Sequence, residues 1–420
     1  MTKRNAKTKA SKRKATTRPT RSKQASASRA TPPQKGSATS RRTEARKTSV
    51  KKSAEKKASS KKSTAKEANS KTGASKAKQR TRSSGAKKSA TAHHKPKILP
   101  REFMMDLGMA IREAVLPYVY SAKGREVTGQ AVSGDATFEL DRVAEKALVT
   151  FLKQARLPLA YYSEDEGYAT FSSAQPENLL VVDPIDGTRA AKSGFESCVV
   201  AIASTRVIER PRMADVDSAC VVEIPGTRVF YAERRKGTRI YADGHIRRPK
   251  LSKNANLETI SWSMTVPARP AELIFPTAAK LLDLSSLKGG FFACNSTSFS
   301  LTRLVTNQLD ACVDFANRFL RDIPEVVRDH FINAGRGNII GIAPYDLAAG
   351  LLVAQESGCI VTDAYGSSFD DLLLLDSGQS NQRSLIAASN TELHEKLMSF
   401  FDVRIKQYEE LLMRKAQRAG

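Results

Sequence analysis

The stretch Leu179-Leu180-Val181-Val182-Asp183-Pro184-Ile185-Asp186-Gly187-Thr188 constrains this chain more than any other. Four apolar residues in a row predict a buried strand. That strand is expected to stop at Pro184, which has no N–H to give to a ladder. Asp183 and Asp186 then stand three residues apart on a tight turn. Two carboxylates held that close repel and shift each other's pKa. A divalent cation removes the conflict, and hard oxygen donors suit Mg2+, which keeps waters and takes further ligands from a substrate phosphate. If a helix begins at Gly187-Thr188, its backbone N–H groups can hold a phosphate. The same residue types also build ordinary surface turns, so the motif needs context.

Two further acidic segments supply that context. Tyr161-Tyr162-Ser163-Glu164-Asp165-Glu166-Gly167 is another apolar-to-acidic transition, and Ala343-Pro344-Tyr345-Asp346 opens a helical run from Leu347. A carboxylate at a helix start can cap the helix. It can equally face a cleft as a metal ligand.

Taken together these segments resemble the inositol monophosphatase family of lithium-sensitive, magnesium-dependent sugar phosphatases, closest in flavour to the archaeal-type inositol monophosphatase/fructose-1,6-bisphosphatases. Asp183 to Thr188 carries the first motif, and Tyr345 to Gly350 with Glu356-Ser357-Gly358-Cys359 the second. Glu164, the run Asp135 to Asp141, Gly226 to Glu233 and Ala387 to Asn390 continue the match. The resemblance implies an α/β (α+β) fold, a layered α-β-α-β-α sandwich with the site between its halves. It implies Mg2+ as cofactor, held by Glu164, Asp183, Asp186, Asp346 and the backbone carbonyl of Ile185. Thr188 and Asp141 match the pair that orients and deprotonates the attacking water. Gly187 and Thr188 amides would hold the phosphoryl oxygens. Asp314 falls where the family binds substrate hydroxyls, and a carboxylate accepts hydrogen bonds from vicinal hydroxyls.

The chain also departs from the family pattern. Asn295-Ser296-Thr297 stands in place of a small triplet beside the substrate, with Thr297 as a candidate contact. Arg189 and Lys192 make the residues after Thr188 unusually basic; they meet a second phosphate or lie exposed on the helix. A segment such as Arg318 to Ile342 is inserted between Asp314 and Asp346, either as a specificity element over the site or as surface decoration.

Charge splits the chain in two. The first 100 residues hold 32 Lys+Arg against Glu44, Glu55 and Glu67, and no Phe, Tyr or Trp. The rest holds 37 basic and 40 acidic residues. The overall +26 is thus a property of the tail. Such a tail cannot bury enough surface to offset its ordering entropy, so residues 1–95 are expected to be a disordered N-terminal tail. It suits polyanions such as DNA or RNA without sequence preference, or it serves only as a solubilising extension. Residues 96–405 are expected to form the phosphatase domain, with halves at about 96–250 and 251–405, and residues 406–420 a charged helix.

No apolar run reaches transmembrane length and no signal-peptide core is present, so a cytoplasmic location is expected. Five cysteines in apolar contexts, with no Cys-x-x-Cys pair, predict reduced, buried thiols. The function this implies is Mg2+-dependent hydrolysis of a small phosphorylated polyol or sugar, inositol-1-phosphate first. Fructose 1,6-bisphosphate and a 3'(2'),5'-bisphosphate nucleotide remain open. So does a rival from another class, a nucleic-acid-associated protein whose phosphatase core is a scaffold, and a homodimer is a possible assembly.

Overall fold

This computed structural model describes residues 97–130, 136–171 and 174–419. The expectations for the basic tail and for the loop Ser133-Gly134-Asp135 lie outside the described residues. Helix α1 (Arg101–Val119) is followed by paired strands β1 (Val127–Gln130) and β2 (Ala136–Phe138), helix α2 (Glu139–Ala155), and strands β3 (Leu159–Ser163), β4 (Gly167–Thr170) and β5 (Asn178–Asp186). A single turn, α3 (Thr188–Ala191), leads to β6 (Val199–Thr205), β7 (Ser218–Glu223), β8 (Val229–Glu233), β9 (Gly237–Ala242) and β10 (His245–Arg247). Next come β11 (Ser261–Met264), α4 (Ala271–Ser285), β12 (Gly290–Ala293), α5 (Thr297–Val305) and β13 (Ala311–Asp314). The chain then runs through α6 (Ala316–Asp322), α7 (Pro324–Ala334), α8 (Pro344–Gln355), β14 (Ile360–Thr362), β15 (Leu385–Ala388) and α9 (Thr391–Ala419).

Strand alternation sorts these elements into layers. An eight-stranded sheet has the order β10-β9-β8-β7-β6-β5-β3-β4, and a five-stranded one the order β12-β11-β13-β15-β14. Leu180, Val182, Val200 and Ile202 of the large sheet pack with Leu107, Ile111 and Leu148 of α1 and α2. The other face of the same strands, Leu179, Val181, Val199 and Ala201, packs with Leu301 and Leu304 of α5 and Leu351 and Leu352 of α8. Cys312 and Ala387 of the small sheet join that same core. Its opposite face, Trp262, Val313 and Ile386, meets Leu273 and Leu281 of α4, Val327 of α7 and Leu397 and Phe401 of α9. The result is the expected α-β-α-β-α sandwich, with α5 and α8 as the shared middle layer. These two helices approach closely at Gly350, where a Cβ would come within 2.8 Å of the Ser298 Cα.

Strand β5 departs from expectation, because it does not stop at Pro184. It continues to Asp186, and its pairing with β6 passes from Asp183↔Ala201 to Asp186↔Val199, three residues on one strand against two on the other. One extra residue is a β-bulge, a position where proline is tolerated. β3 has already ended there, its last pair being Ser163↔Val182. The bulge matters for chemistry. Residues three apart on a regular strand face opposite sides. The extra residue restores parity, so Asp183 and Asp186 sit opposite Ala201 and Val199, both of which face α5 and α8.

The segment expected as an insertion is not mere surface decoration. Phe319, Leu320, Val327 and Phe331 of α6 and α7 are buried in the core beneath the small sheet. Arg318 ties α6 to the body through Asp402 of α9 at 2.6 Å and the Ala364 carbonyl at 2.9 Å. All five cysteines are free; four are buried, but Cys294 at the end of β12 is only partly so.

Candidate active site and metal centre

Three carboxylates meet at the C-terminal end of β5. Ligand oxygens of Asp183, Asp186 and Asp346 all lie within 4.8 Å of one another. Asp183 and Asp186 are buried, and each is held by the backbone. Asp183 Oδ1 accepts the Ile185 N–H at 3.0 Å, and Asp186 Oδ2 accepts the Ser298 N–H at 2.6 Å from the first turn of α5. Asp346 reaches the cluster from the first turn of α8, where its Oδ2 accepts the Ala343 N–H at 2.7 Å. It is both a helix cap and a member of the cluster. Ser298 couples the two helices, its hydroxyl donating to the Asp346 carbonyl at 2.9 Å.

Burial raises the pKa of Asp183 well above the carboxylate range, and the charges of Glu164, Asp186 and Asp346 add to the rise. Burial also pushes Asp186 up to about 8, with Asp346 contributing. Crowded, desolvated carboxylates with oxygen-only donors fit a divalent cation, which would neutralise the repulsion that raises both values. Glu164, directly after β3, lies outside the three-aspartate cluster but lines the same cleft as Asp186 and Asp346.

The turn after the bulge is set by Gly187. Its φ is +100°, and a Cβ there would meet the Ser197 carbonyl at 2.5 Å, so only glycine fits. Thr188 opens the single-turn α3, and its hydroxyl donates to the Ile185 carbonyl at 3.1 Å. Asp141 sits in the first turn of α2, with Oδ2 accepting the Phe138 N–H at 2.7 Å. Thr297 opens α5 and lines the cleft, as does Arg189. The Lys192 ammonium instead lies 3.8 Å from the centroid of the Phe138 ring.

Asp314, at the end of β13, is buried and paired. Its Oδ2 accepts from Arg269 Nε at 2.9 Å and Nη2 at 2.6 Å. Sequence reasoning missed Arg269. It lies in the loop Val266-Pro267-Ala268-Arg269-Pro270, which has no periodicity to mark it. It missed the Ser298 N–H as well, since a backbone donor leaves no signature in residue type.

Comparison with known proteins bears on this arrangement. The inositol monophosphatase family model matches residues 101–403. The chain belongs to that family. The family is generally metal-dependent, in keeping with the aspartate cluster, and the family with its phosphatase-named relatives supports a phosphoric monoester hydrolase. The chain is 25% identical over 302 residues to a fructose-1,6-bisphosphatase/inositol-1-monophosphatase of Methanothermobacter thermautotrophicus, covering 70% of this chain and 93% of that one. It is 24% identical over 314 residues to a bifunctional NADP phosphatase/NAD kinase of Methanococcus maripaludis, covering 72% of this chain. The chain spans only 49% of that relative's length. A solved inositol monophosphatase–fructose 1,6-bisphosphatase superposes with a TM-score of 0.53 at 19% identity, covering 72% of this chain and 100% of that one, which supports the fold. Among the described residues no helix is long and apolar enough to cross a membrane.

Proposed function

We propose that this protein is an Mg2+-dependent phosphomonoesterase acting on a small phosphorylated polyol or sugar, with inositol-1-phosphate the first candidate. The observation that carries the reading is the cluster of buried Asp183 and Asp186 with half-buried Asp346, at a cleft that Asp186, Asp346 and Glu164 line. Glu164, Asp183, Asp186, Asp346 and the Ile185 carbonyl would hold the metal. When bound, divalent ions supply an activated water and neutralise charge on the leaving oxygen.

The remaining work falls to the chain's own groups. Gly187 and Thr188 present backbone N–H groups to the phosphoryl oxygens, where charge grows in the transition state. The Thr188 hydroxyl, which rests on the Ile185 carbonyl, would turn to orient the attacking water and pass a proton on to Asp141, the base. Thr297 and Asp314 contribute to the wall that meets the alcohol part of the substrate. Residues 96–405 constitute this catalytic domain, and residues 406–420 extend it. Phosphate release from inositol-1-phosphate, fructose 1,6-bisphosphate and a 3'-phosphoadenosine nucleotide, with and without Mg2+, tests the reading. No Mg2+-dependent release from any of them would refute it.

A second role is favoured by the charge of the first 100 residues, 32 Lys+Arg against three acids. In this reading the tail binds nucleic acid without sequence preference, by counterion release. Gel shifts over a salt series should show retention by the full chain that weakens steeply with salt. A chain beginning near Lys95 should lose it while keeping phosphatase activity. Equal DNA retention by both would refute the role.

A further inference from the structure

The cleft that Glu164, Asp186 and Asp346 line is completed by Ile340 and Gly341, which belong to the link between α7 and α8. That link, Gly335 to Ala343, holds three glycines and no regular element. Such a composition suits a loose loop, yet the structure pins it from end to end. At its start the Gly335 N–H donates to the Phe331 carbonyl at 2.9 Å, and the Gly337 N–H to the Ile332 carbonyl at 2.8 Å, closing off α7. At its end Ile342 is buried in the central core and bridges to Arg383. Between these points Ile339 packs against the core formed with α4, α7 and α9. The Ile340 carbonyl accepts from Arg269 Nη1 at 3.3 Å, on an arginine that Asp314 already holds. A Cβ on Gly341 would meet Gln382 Oε1 at 2.3 Å, so the backbone has no slack on that side.

A wall held in this way sets a size. The cleft encloses about 70 Å³. Sites that take up a drug-sized ligand run to roughly 300–1,000 Å³. A phosphoryl group on a compact polyol or monosaccharide suits the smaller space. A nucleoside carries a planar base beyond its ribose and has to displace the wall. Displacement gives up the Arg269 bond and draws Ile339 or Ile342 out of apolar packing, which costs the free energy of their burial.

We propose that the strap Asn338 to Gly341 is a specificity-determining wall, with Ile340 its principal side chain, that admits compact phosphorylated alcohols and excludes nucleotides. The inference rests on the phosphomonoesterase reading and narrows its substrate class. Glycerol 2-phosphate and adenosine 2'-phosphate form the test pair. Both are phosphate monoesters of a secondary alcohol, and they differ in the bulk beyond it. The quantity read is the ratio of their kcat/KM values on the full chain with Mg2+. A ratio does not depend on how much of a variant folds.

The wild type should favour glycerol 2-phosphate by about a hundredfold or more. Ile340→Ala, which lowers the wall, should cut that preference by about tenfold, and Ile340→Trp, which raises it, should increase the preference. A residue with only a structural role would not move the ratio in opposite directions. A wild type that cleaves both esters equally well, or a ratio that neither variant moves, overturns the proposal. If neither ester is cleaved, the phosphatase reading fails separately. Calorimetric binding of the same two esters then decides the question. A wild type that binds adenosine 2'-phosphate as tightly as glycerol 2-phosphate, or binds neither, overturns the proposal.

Discussion

Strand β5 carries two aspartates at its C-terminal end and strand β13 one, yet the two strands solve the problem of a buried carboxylate differently. At β5 the aspartates are crowded against one another and against Asp346, and burial with mutual repulsion raises their pKa values. At β13 Asp314 is matched by Arg269 at 2.6 Å, both side chains buried. A carboxylate compensated from within the chain asks for nothing more. A cluster of mutually repelling carboxylates is suited to a cation from outside. Glu145 on α2 adds a third solution. Buried, with Oε1 accepting from the Ser163 hydroxyl at 2.9 Å, it is pushed up to about 8 by desolvation and so holds a proton at neutral pH. Metal, arginine and proton are three answers to the same desolvation cost.

The comparison can be broken most sharply at β5. Asp186→Asn should lower Mg2+-dependent phosphate release by about a thousandfold. The same change removes a carboxyl that the metal-free fold keeps only at the cost of repulsion or of a bound proton, so melting without metal should move up while the extra stabilisation by Mg2+ disappears. Wild-type-like release from this variant would remove the metal role from the cluster. At β13 the effect should be on stability. Asp314→Ala leaves Arg269 buried without its partner, at a cost of roughly 3 kcal/mol in urea unfolding. Arg269→Met/Asp314→Leu should recover most of that loss, and equal losses in the single and double variants would show that the pair is not coupled.

Thr188→Ala asks whether the β5 end does chemistry or only holds charge. It should lower kcat by about a hundredfold with the Mg2+ titration midpoint unmoved. The midpoint shifting instead, with normal turnover at saturating metal, would contradict the water-orienting role.

The smallest effect belongs to Glu145. Its folded pKa of about 8 lies above the ordinary 4.5, so the native state binds the proton more tightly. Stability is then greatest below pH 4.5 for this group and is lost as pH rises towards 8. Glu145→Gln should flatten that slope, gaining on the order of 1–2 kcal/mol over wild type at pH 8. Parallel stability–pH curves for the two proteins would mean that Glu145 is ionised in the fold.

Much of the fold is legible in the sequence where local pattern and burial agree. The short apolar runs Leu159–Ser163, Gly290–Ala293, Ile360–Thr362 and Leu385–Ala388 read as strands from residue type alone, and all four are strands in the fold. The long closing helix continues through Asp402 to Ala419 as its spacing suggests. The misses have particular causes. Helix α4 carries Pro276 inside it, and an internal proline hides a helix from pattern reading. Helix α8 starts at Pro344, three residues ahead of the apolar run that marks it, because proline is at home in a first turn. On α2 helical spacing marks Val143, Ala147, Leu148, Phe151 and Leu152 as the apolar face; Leu148 and Leu152 are buried and the other three only partly so, while Leu140 and Ala144 lie deeper, since α1 covers the helix from a direction that its own sequence does not specify. The bulge at Pro184 depends on where β3 ends and how β6 pairs, neither of which is local to the motif. Arg269 was invisible for the same reason: its partners are 45 and 71 residues away.

The 29-residue α9 has a practical consequence. At 1.5 Å per residue it runs for about 43 Å, and its deeply packed positions end near Glu409. The last ten residues of the helix therefore run about 15 Å past the deeply packed Phe401 and Ile405, with Leu412 still resting against the core. A dye or spin label placed along Gln407, Glu410 and Arg414 would sit at known, stepped distances from the body. That turns the end of the chain into a built-in ruler for tracking whatever approaches this face.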